Sequence, residues 1–353
     1  MRQKAHGGNL AWAAALAGCP PDAILDFSAS ISPLGPPNSA IAAIVSQIGS
    51  IQHYPDPDYS ELRLVLSHYH QLPPEWILPG NGSAELLTLV GRELAQLDTV
   101  VLITPAFGDY YRTLTAYDAK VLEFPIDLGT LGWEVKISPP TSRSCGLLLN
   151  NPHNPTGKLF LRDAILPYLE QFALVVVDEA FMDFVPPDEE QSLISVVQDY
   201  PNLVVLRSLT KFYSLPGLRL GYAIAHPEYL GKWQLWRDPW PVNTLATAAA
   251  IASLKDQEFQ RNTWKWLPHA RNQLLEGLAN LPGLQPKNSA VNFLLVESQH
   301  STSQLQQQLL QQHQILIRDS LSFKELGDRF FRVAVRSESE NQRLLTALKL
   351  VLS

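Results

Sequence analysis

The stretch RSLTKFYSLPGLRLGYA (207–223) continues an apolar run, Leu203 to Leu206, and places Ser208, Thr210 and Lys211 directly at its end. Arg219 follows eight residues after Lys211, behind Pro216 and Gly217. An ammonium group is strongly hydrated and is costly at the end of a buried strand unless that place needs an amine. The segment therefore brings an amine, two hydroxyls and a fixed positive charge to one strand end.

Runs of the same texture lie on either side of it. TVVLITP (99–105), AKVLEFP (119–125), CGLLLNNP (145–152), ALVVVDEA (173–180), NLVVLRSL (202–209) and RLGYAIA (219–225) are short, continuous and rich in Leu or β-branched residues. That pattern predicts strands buried on both faces. Helical patterns separate several of them, as in SAELLTLVGRELAQL (83–97) and LRDAILPYLEQF (161–172). Strand–helix alternation predicts an α/β fold with a mostly parallel central sheet, in which ligands sit beyond the carboxyl ends of the strands. The polar residues fall at those ends: 150–156, Asp178, and 208–211. Past about Pro241 the texture changes to helices, a Gln-rich helix with a solvated face, and strands AVNFLLVES, ILIRD and FFRVAVRS, which predict a smaller α+β domain. The expected division is 1–48 as an N-terminal arm and part of the small domain, 49–244 as the large domain, and 245–353 as the small domain.

Composition narrows the function. The 353 residues are 46% hydrophobic and 17% charged, with a net charge of -7, which opposes a nucleic-acid binder. A few local arginines still suffice for a small anionic ligand. Two cysteines, Cys19 and Cys145, without a CxxC, support neither a disulfide framework nor a zinc ribbon, and a cytoplasmic setting is expected. The Ala-rich run Leu10 to Ala17 is eight residues long and ends in Gly-Cys-Pro-Pro, so it reads as an amphipathic first helix closed by Gly18 and Pro20 rather than a leader. No run approaches the ~20 apolar residues of a membrane span. HExxH and GxSxG are absent, and His68 and His70 do not share a helix face, so no metal site and no serine hydrolase is expected.

Each polar group has an ordinary reading beside a chemical one. Lys211 is a surface lysine or, in a drier place, a nucleophile for a carbonyl. Asp178, at the end of three valines, is a helix cap, a metal ligand, or a partner for a protonated ring nitrogen. NNPHNPTG (150–157) is a turn, yet Asn154 offers an amide that could hold a phenolic oxygen. PGNGSAELL (79–87) is a helix capped by Ser83, or a glycine loop whose helix start takes a phosphate. Arg219 is a surface ion pair or a bidentate phosphate clamp.

Taken in order, the glycine loop, Asn154, Asp178, Ser208-x-Thr210-Lys211 and Arg219 resemble the fold type I enzymes that bind pyridoxal 5'-phosphate, the class I/II aminotransferase family, across nearly the whole chain. The resemblance implies that Lys211 bonds to the cofactor aldehyde, Asp178 pairs with the pyridine nitrogen, and Asn154 meets the ring oxygen. Ser83, the Ala84 N–H, Ser208, Thr210 and Arg219 would surround the phosphate. Phe107 in TPAFGDY would stack on the ring. Tyr54 would reach the phosphate of a partner subunit, which implies a homodimer.

Within that family the chain looks like the branch of the histidinol-phosphate aminotransferases and the threonine-phosphate decarboxylases of cobalamin synthesis. AHGGN (5–9), LDFSASISPLGPP (25–37), YPDPDY (54–59), DEAFMDF (178–184), RSLTKFYSLPGLRLGY (207–222) and FRVAVRS (331–337) lean to the decarboxylases. So does Phe181, at a position where the aminotransferases usually carry a tyrosine. Ser30 and Ser32 stand where the decarboxylases often have asparagines. The implied substrate is L-threonine O-3-phosphate, with Arg332 for its carboxylate and His6, Asn9, Ser30 and Arg336 as further contacts. Transamination of histidinol phosphate is the alternative. A non-enzymatic binding protein is opposed by the intact Lys211, Asp178 and Arg219 set.

Overall fold

A computed structural model describes residues 7–126, 137 and 144–352. Its main sheet has seven strands in the spatial order Ile77–Gly80, Gly221–Ala225, Leu203–Ser208, Leu174–Asp178, Cys145–Asn150, Thr99–Thr104, Val121–Pro125. The five strands from Leu203–Ser208 to Val121–Pro125 pair in parallel, and only Gly221–Ala225 runs against its neighbours. The mostly parallel α/β sheet is therefore as expected, with two corrections.

Ile77–Gly80 is a strand that the sequence concealed. Pro79 and Gly80 read as a turn, but at a sheet edge a proline leaves no ladder bond unmade. Val121–Pro125 is not buried on both faces: it is the opposite edge, with Leu122, Glu123 and Pro125 exposed. The inner strands do follow the two-sided pattern. Every residue of Cys145–Asn150, Leu174–Asp178 and Leu203–Ser208 is buried.

A second, antiparallel sheet joins Arg318–Asp319, Phe330–Ala334, Phe293–Ser298 and Leu284–Pro286 in that order. The N-terminal segment packs with this part, because Leu25–Asp26 pairs in parallel with Ile315–Leu316. The first helix, Leu10–Ala17, ends at Gly18 with φ 67°, a left-handed cap that glycine adopts without strain. The Gln-rich helix Thr302–His313 is less solvated than its composition suggests. Gln306 is buried and donates to the Ile317 carbonyl at 2.7 Å, while Leu305 and Leu309 enter the core. Among the described residues no helix is long and apolar enough to cross a membrane.

The functional consequence lies in the register. Asn150 and Asp178 are direct partners across parallel strands, and Asp178 pairs with Leu206, two residues before Ser208. Three chain segments thus deliver polar side chains to the same sheet edge.

Candidate active site

These strand ends open into a cavity of about 310 Å³ lined by Lys211, Asp178, Asn154, Phe107, Ser83 and Arg219, together with residues of the second sheet. Lys211 is half-buried in the cavity wall. Burial pushes its amine down to about 8 from the ordinary 10.5, Asp178 opposes that shift, and Arg219 and Arg332 add to it. Lys211 Nζ donates to Ser208 Oγ at 3.4 Å and lies 5.0 Å from the Phe181 ring centroid. Ser208 Oγ in turn shares a 2.8 Å hydrogen bond with Thr210 Oγ1.

Such an amine carries a neutral nucleophile at a far lower pH than a surface lysine. In apoprotein, capture of a small aldehyde by Lys211, fixed by borohydride, should reach half its maximal rate near pH 8, against 10.5 for an ordinary lysine. Peptide mapping across a pH series measures it, and a midpoint near the ordinary value would contradict the burial argument.

Asp178 is held on both oxygens. Tyr110 Oη donates to Oδ2 at 2.8 Å, and the Ala180 N–H donates to Oδ1 at 3.0 Å. Burial raises its pKa, while Lys211 and these hydrogen bonds work in the opposite direction. Tyr110 was not singled out in the sequence. FGDYY contains two adjacent tyrosines, and only the phase of helix Gly108–Ala116 decides that Tyr110 turns inward, edge-on to Phe107 with ring centroids 5.7 Å apart.

The glycine loop differs from the expected cap. Helix Ser83–Leu94 has Gly82, at φ 73°, in the capping position, and no side chain caps it. The first N–H groups, those of Ser83 and Ala84 among them, thus keep no intrahelical partner. The Arg219 guanidinium fills the space a side chain would take: a Cβ on Gly82 would lie 2.7 Å from its Nη2. Arg219 also has a left-handed backbone, φ 57°, and donates to the Pro216 carbonyl at 3.1 Å. A helix start with free donors beside a guanidinium is a site for a phosphate.

On the other wall, Arg332 Nη1 donates to Asn154 Oδ1 at 2.6 Å and Nη2 to the Ser28 carbonyl at 3.3 Å, while Nε is buried without a hydrogen-bond partner. Directly opposite Arg332 in the antiparallel ladder stands Arg318, which also lines the cavity and donates to Ser322 Oγ at 3.0 Å. Like charges facing each other across a ladder are unfavourable. Burial and Arg318 together push Arg332 down to about 9. Arg318 escaped sequence reading because ILIRD showed only a strand ending in a neighbouring pair of opposite charges, Arg318 and Asp319. The pairing that brings it opposite Arg332 is a tertiary fact.

Ser30 lines the cavity with its Oγ buried and unpartnered, whereas Ser32 lies behind it, its N–H donating to the Lys211 carbonyl at 3.0 Å. Two expected contacts, Asn9 and Arg336, are not brought into the cavity of this chain. Asn9 caps the first helix, its Oδ1 accepting from the Trp12 N–H at 3.1 Å. Arg336 is engaged by the Asp26 carbonyl at 3.1 Å and Glu340 at 2.7 Å, which leaves its guanidinium committed elsewhere. Tyr54 is 78% exposed and stacks on Trp240 at 4.4 Å. His6 lies outside the described residues.

A desolvated amine, a paired carboxylate, a phosphate-type helix start and an aromatic wall around one cavity define an enzyme that uses a carbonyl cofactor bearing a phosphate. The chain belongs to the class I and II aminotransferase family, whose model matches residues 22–348. The family's cofactor is pyridoxal 5'-phosphate, and the chain is an enzyme of fold type I in that family. It is 37% identical to the threonine-phosphate decarboxylase of Salmonella typhimurium over 99% of this chain and 97% of that one. It is 31% identical to a histidinol-phosphate aminotransferase of Mannheimia succiniciproducens over 94% of this chain and 90% of that one. Among solved structures, the L-threonine-O-3-phosphate decarboxylase of Porphyromonas gingivalis superposes with a TM-score of 0.82 at 25% identity, covering 92% of this chain and 98% of that one. The residues present fit the cofactor. The bare Gly82 under Arg219 and the uncapped helix suit its phosphate, the half-buried Lys211 its aldehyde, and the paired Asp178 its ring nitrogen.

Proposed function

We propose that the protein decarboxylates L-threonine O-3-phosphate to (R)-1-amino-2-propanol O-2-phosphate, a step of cobalamin synthesis. The observation that carries this reading is the pair of cavity-lining arginines facing each other across the second sheet, the buried Arg318 and the half-buried Arg332. Two guanidiniums in that arrangement favour a ligand with two anionic groups, and the substrate has a carboxylate and a phosphate. Arg332, beside Asn154, binds the carboxylate. Arg318, with Ser322 and the unpartnered Ser30 hydroxyl nearby, takes the phosphate. Phe181 supports the same reading, because it walls the cavity without a hydroxyl where the aminotransferases usually have one.

Pyridoxal phosphate, when bound, supplies the electron sink for the pair left on the α carbon as CO2 departs. The chain's own residues do the rest. Arg219 and the Ser83 and Ala84 N–H groups hold the cofactor phosphate, with Ser208 and Thr210 behind Lys211. Asp178 would keep negative charge at the ring nitrogen, Phe107 would cover the ring, and Asn154 would meet the ring oxygen. Lys211 Nζ would hold the cofactor by its aldehyde and, once released from it, would carry the proton that the α carbon takes up. A homodimer completes the reading: Tyr54 projects from a surface where Ile41, Val45, Ile48 and Ile51 are also exposed, and reaches the phosphate site of a second copy.

The test is a product assay by mass spectrometry on protein supplied with pyridoxal phosphate. L-threonine O-3-phosphate alone should yield aminopropanol phosphate. Histidinol phosphate with 2-oxoglutarate should yield no glutamate. Glutamate in the second reaction, with threonine phosphate untouched in the first, would make the protein an aminotransferase and remove the significance given to Phe181.

A further inference from the structure

The residues adjacent to the site in sequence form a second charged cluster on the far side of the same strand ends. Arg207 precedes Ser208, and Glu179 follows Asp178. Along extended chain, neighbouring side chains point opposite ways, so Arg207 and Glu179 turn away from the cavity. Arg207 is fully buried and spreads its guanidinium over three carboxylates: Nε to Glu179 at 2.9 Å, Nη1 to Asp183 at 2.5 Å and Nη2 to Glu190 at 2.6 Å. Glu179 is tied further, accepting from the Leu193 N–H at 2.8 Å and Ser192 Oγ at 2.6 Å. One guanidinium thereby fastens the strand that leads to Lys211, the turn Met182–Phe184, and the loop at 190–193.

Phe181 lies between two of these anchors. It lines the cavity, packs edge-on to Phe293 at 4.9 Å, and supports Lys211 Nζ. We propose that Arg207 is a positioning residue for the reaction: by holding Glu179, Asp183 and Glu190 on one planar fork it fixes Asp178, Phe181 and Lys211 relative to one another. This rests on the roles given above to those three residues. Buried ion clusters contribute little net stability compared with apolar packing of the same volume. Their geometry is specific, because only arginine presents several donors in one rigid plane.

The experiment compares Arg207→Lys, Asp183→Ala and Asp183→Asn as purified holoenzymes, well below their unfolding temperatures. Lysine keeps the charge but cannot span three carboxylates, and alanine frees the turn that carries Phe181. Both should lower kcat by about 10- to 100-fold, the scale of an ångström misplacement. KM should change by less than about threefold, because substrate anchors are untouched. The visible absorption band of the bound cofactor should shift with kcat. Asp183→Asn keeps an acceptor for Nη1 and should restore both kcat and the band. A lowered unfolding temperature with kcat and the band unmoved would overturn the proposal and leave a structural staple. If Arg207→Lys does not fold, the Asp183 pair decides, and equal kcat in its two variants overturns the proposal. A wild-type protein lacking a borohydride-reducible band would sink the earlier reading as well, whereas a normal wild-type band with unmoved variants sinks only this one.

Discussion

Lys211→Ala should give a folded protein with no visible cofactor band, no borohydride-fixed cofactor and activity reduced by about 10³-fold or more, the combined loss of a nucleophile and a proton carrier. The apoprotein provides a second readout. The lysine pKa falls from 10.5 in the unfolded chain to about 8 in the fold, so between those values the unfolded state binds more protons. Stability of the wild-type apoprotein therefore rises with pH across that window, and below about 8 the burial penalty is fully present. It amounts to a few kcal/mol by the conversion of pKa shift to free energy. The alanine variant has no such group. Its apoprotein should be no less stable than wild type at pH 7, apart from the smaller cost of leaving Asp178 without its cation, and should gain less stability from pH 8 to 10.5. Urea titrations at both ends of the window measure the difference. Equal slopes in the two proteins would show that Lys211 is not the group responsible.

The strand-end residues were legible because each parallel strand is a continuous apolar run that stops abruptly at a polar residue. Asp178 after Val175, Val176 and Val177, and Lys211 after Leu203 to Leu206, needed no tertiary information to be placed at one edge. Other features of the fold and the site were harder to see for identifiable reasons. Ile77–Gly80 hides behind a proline that only an edge permits. Tyr110 depends on helix phase. Arg318 depends on a two-residue strand, Arg318–Asp319, finding its register against Phe330–Ala334. Asn9 and Arg336 carried chemically suitable groups, but local partners hold them: a helix start in one case, Glu340 four residues on in the other. Motif resemblance identifies residue types, and local hydrogen bonding decides which of them remain available.

The second large effect is expected at Asp178. Its carboxylate is buried, and burial alone would favour the neutral acid. The Tyr110 hydroxyl at 2.8 Å, the Ala180 N–H at 3.0 Å and the nearby Lys211 favour the ionised form. Asp178→Asn keeps the shape and one acceptor but cannot carry charge at any pH. The variant should fold and retain the cofactor on Lys211. Its kcat should fall by about 10²- to 10³-fold, as for other losses of preorganised charge at a reacting centre, with KM little altered. The same substitution has a consequence in the apoprotein that does not depend on turnover. Asp178 holds the Lys211 amine up against burial and against Arg219 and Arg332. Without that carboxylate the lysine pKa drops further, so the midpoint for aldehyde capture should move below the wild-type value of about 8. Tyr110→Phe, which removes one of the hydrogen bonds favouring the ionised form while the Ala180 N–H and Lys211 remain, should lower kcat less, by about three- to tenfold, the net worth of one ordinary hydrogen bond. A midpoint that stays in place in Asp178→Asn would mean that the two groups do not sense each other across the cavity, and the assignment of both to one cofactor would fail with it.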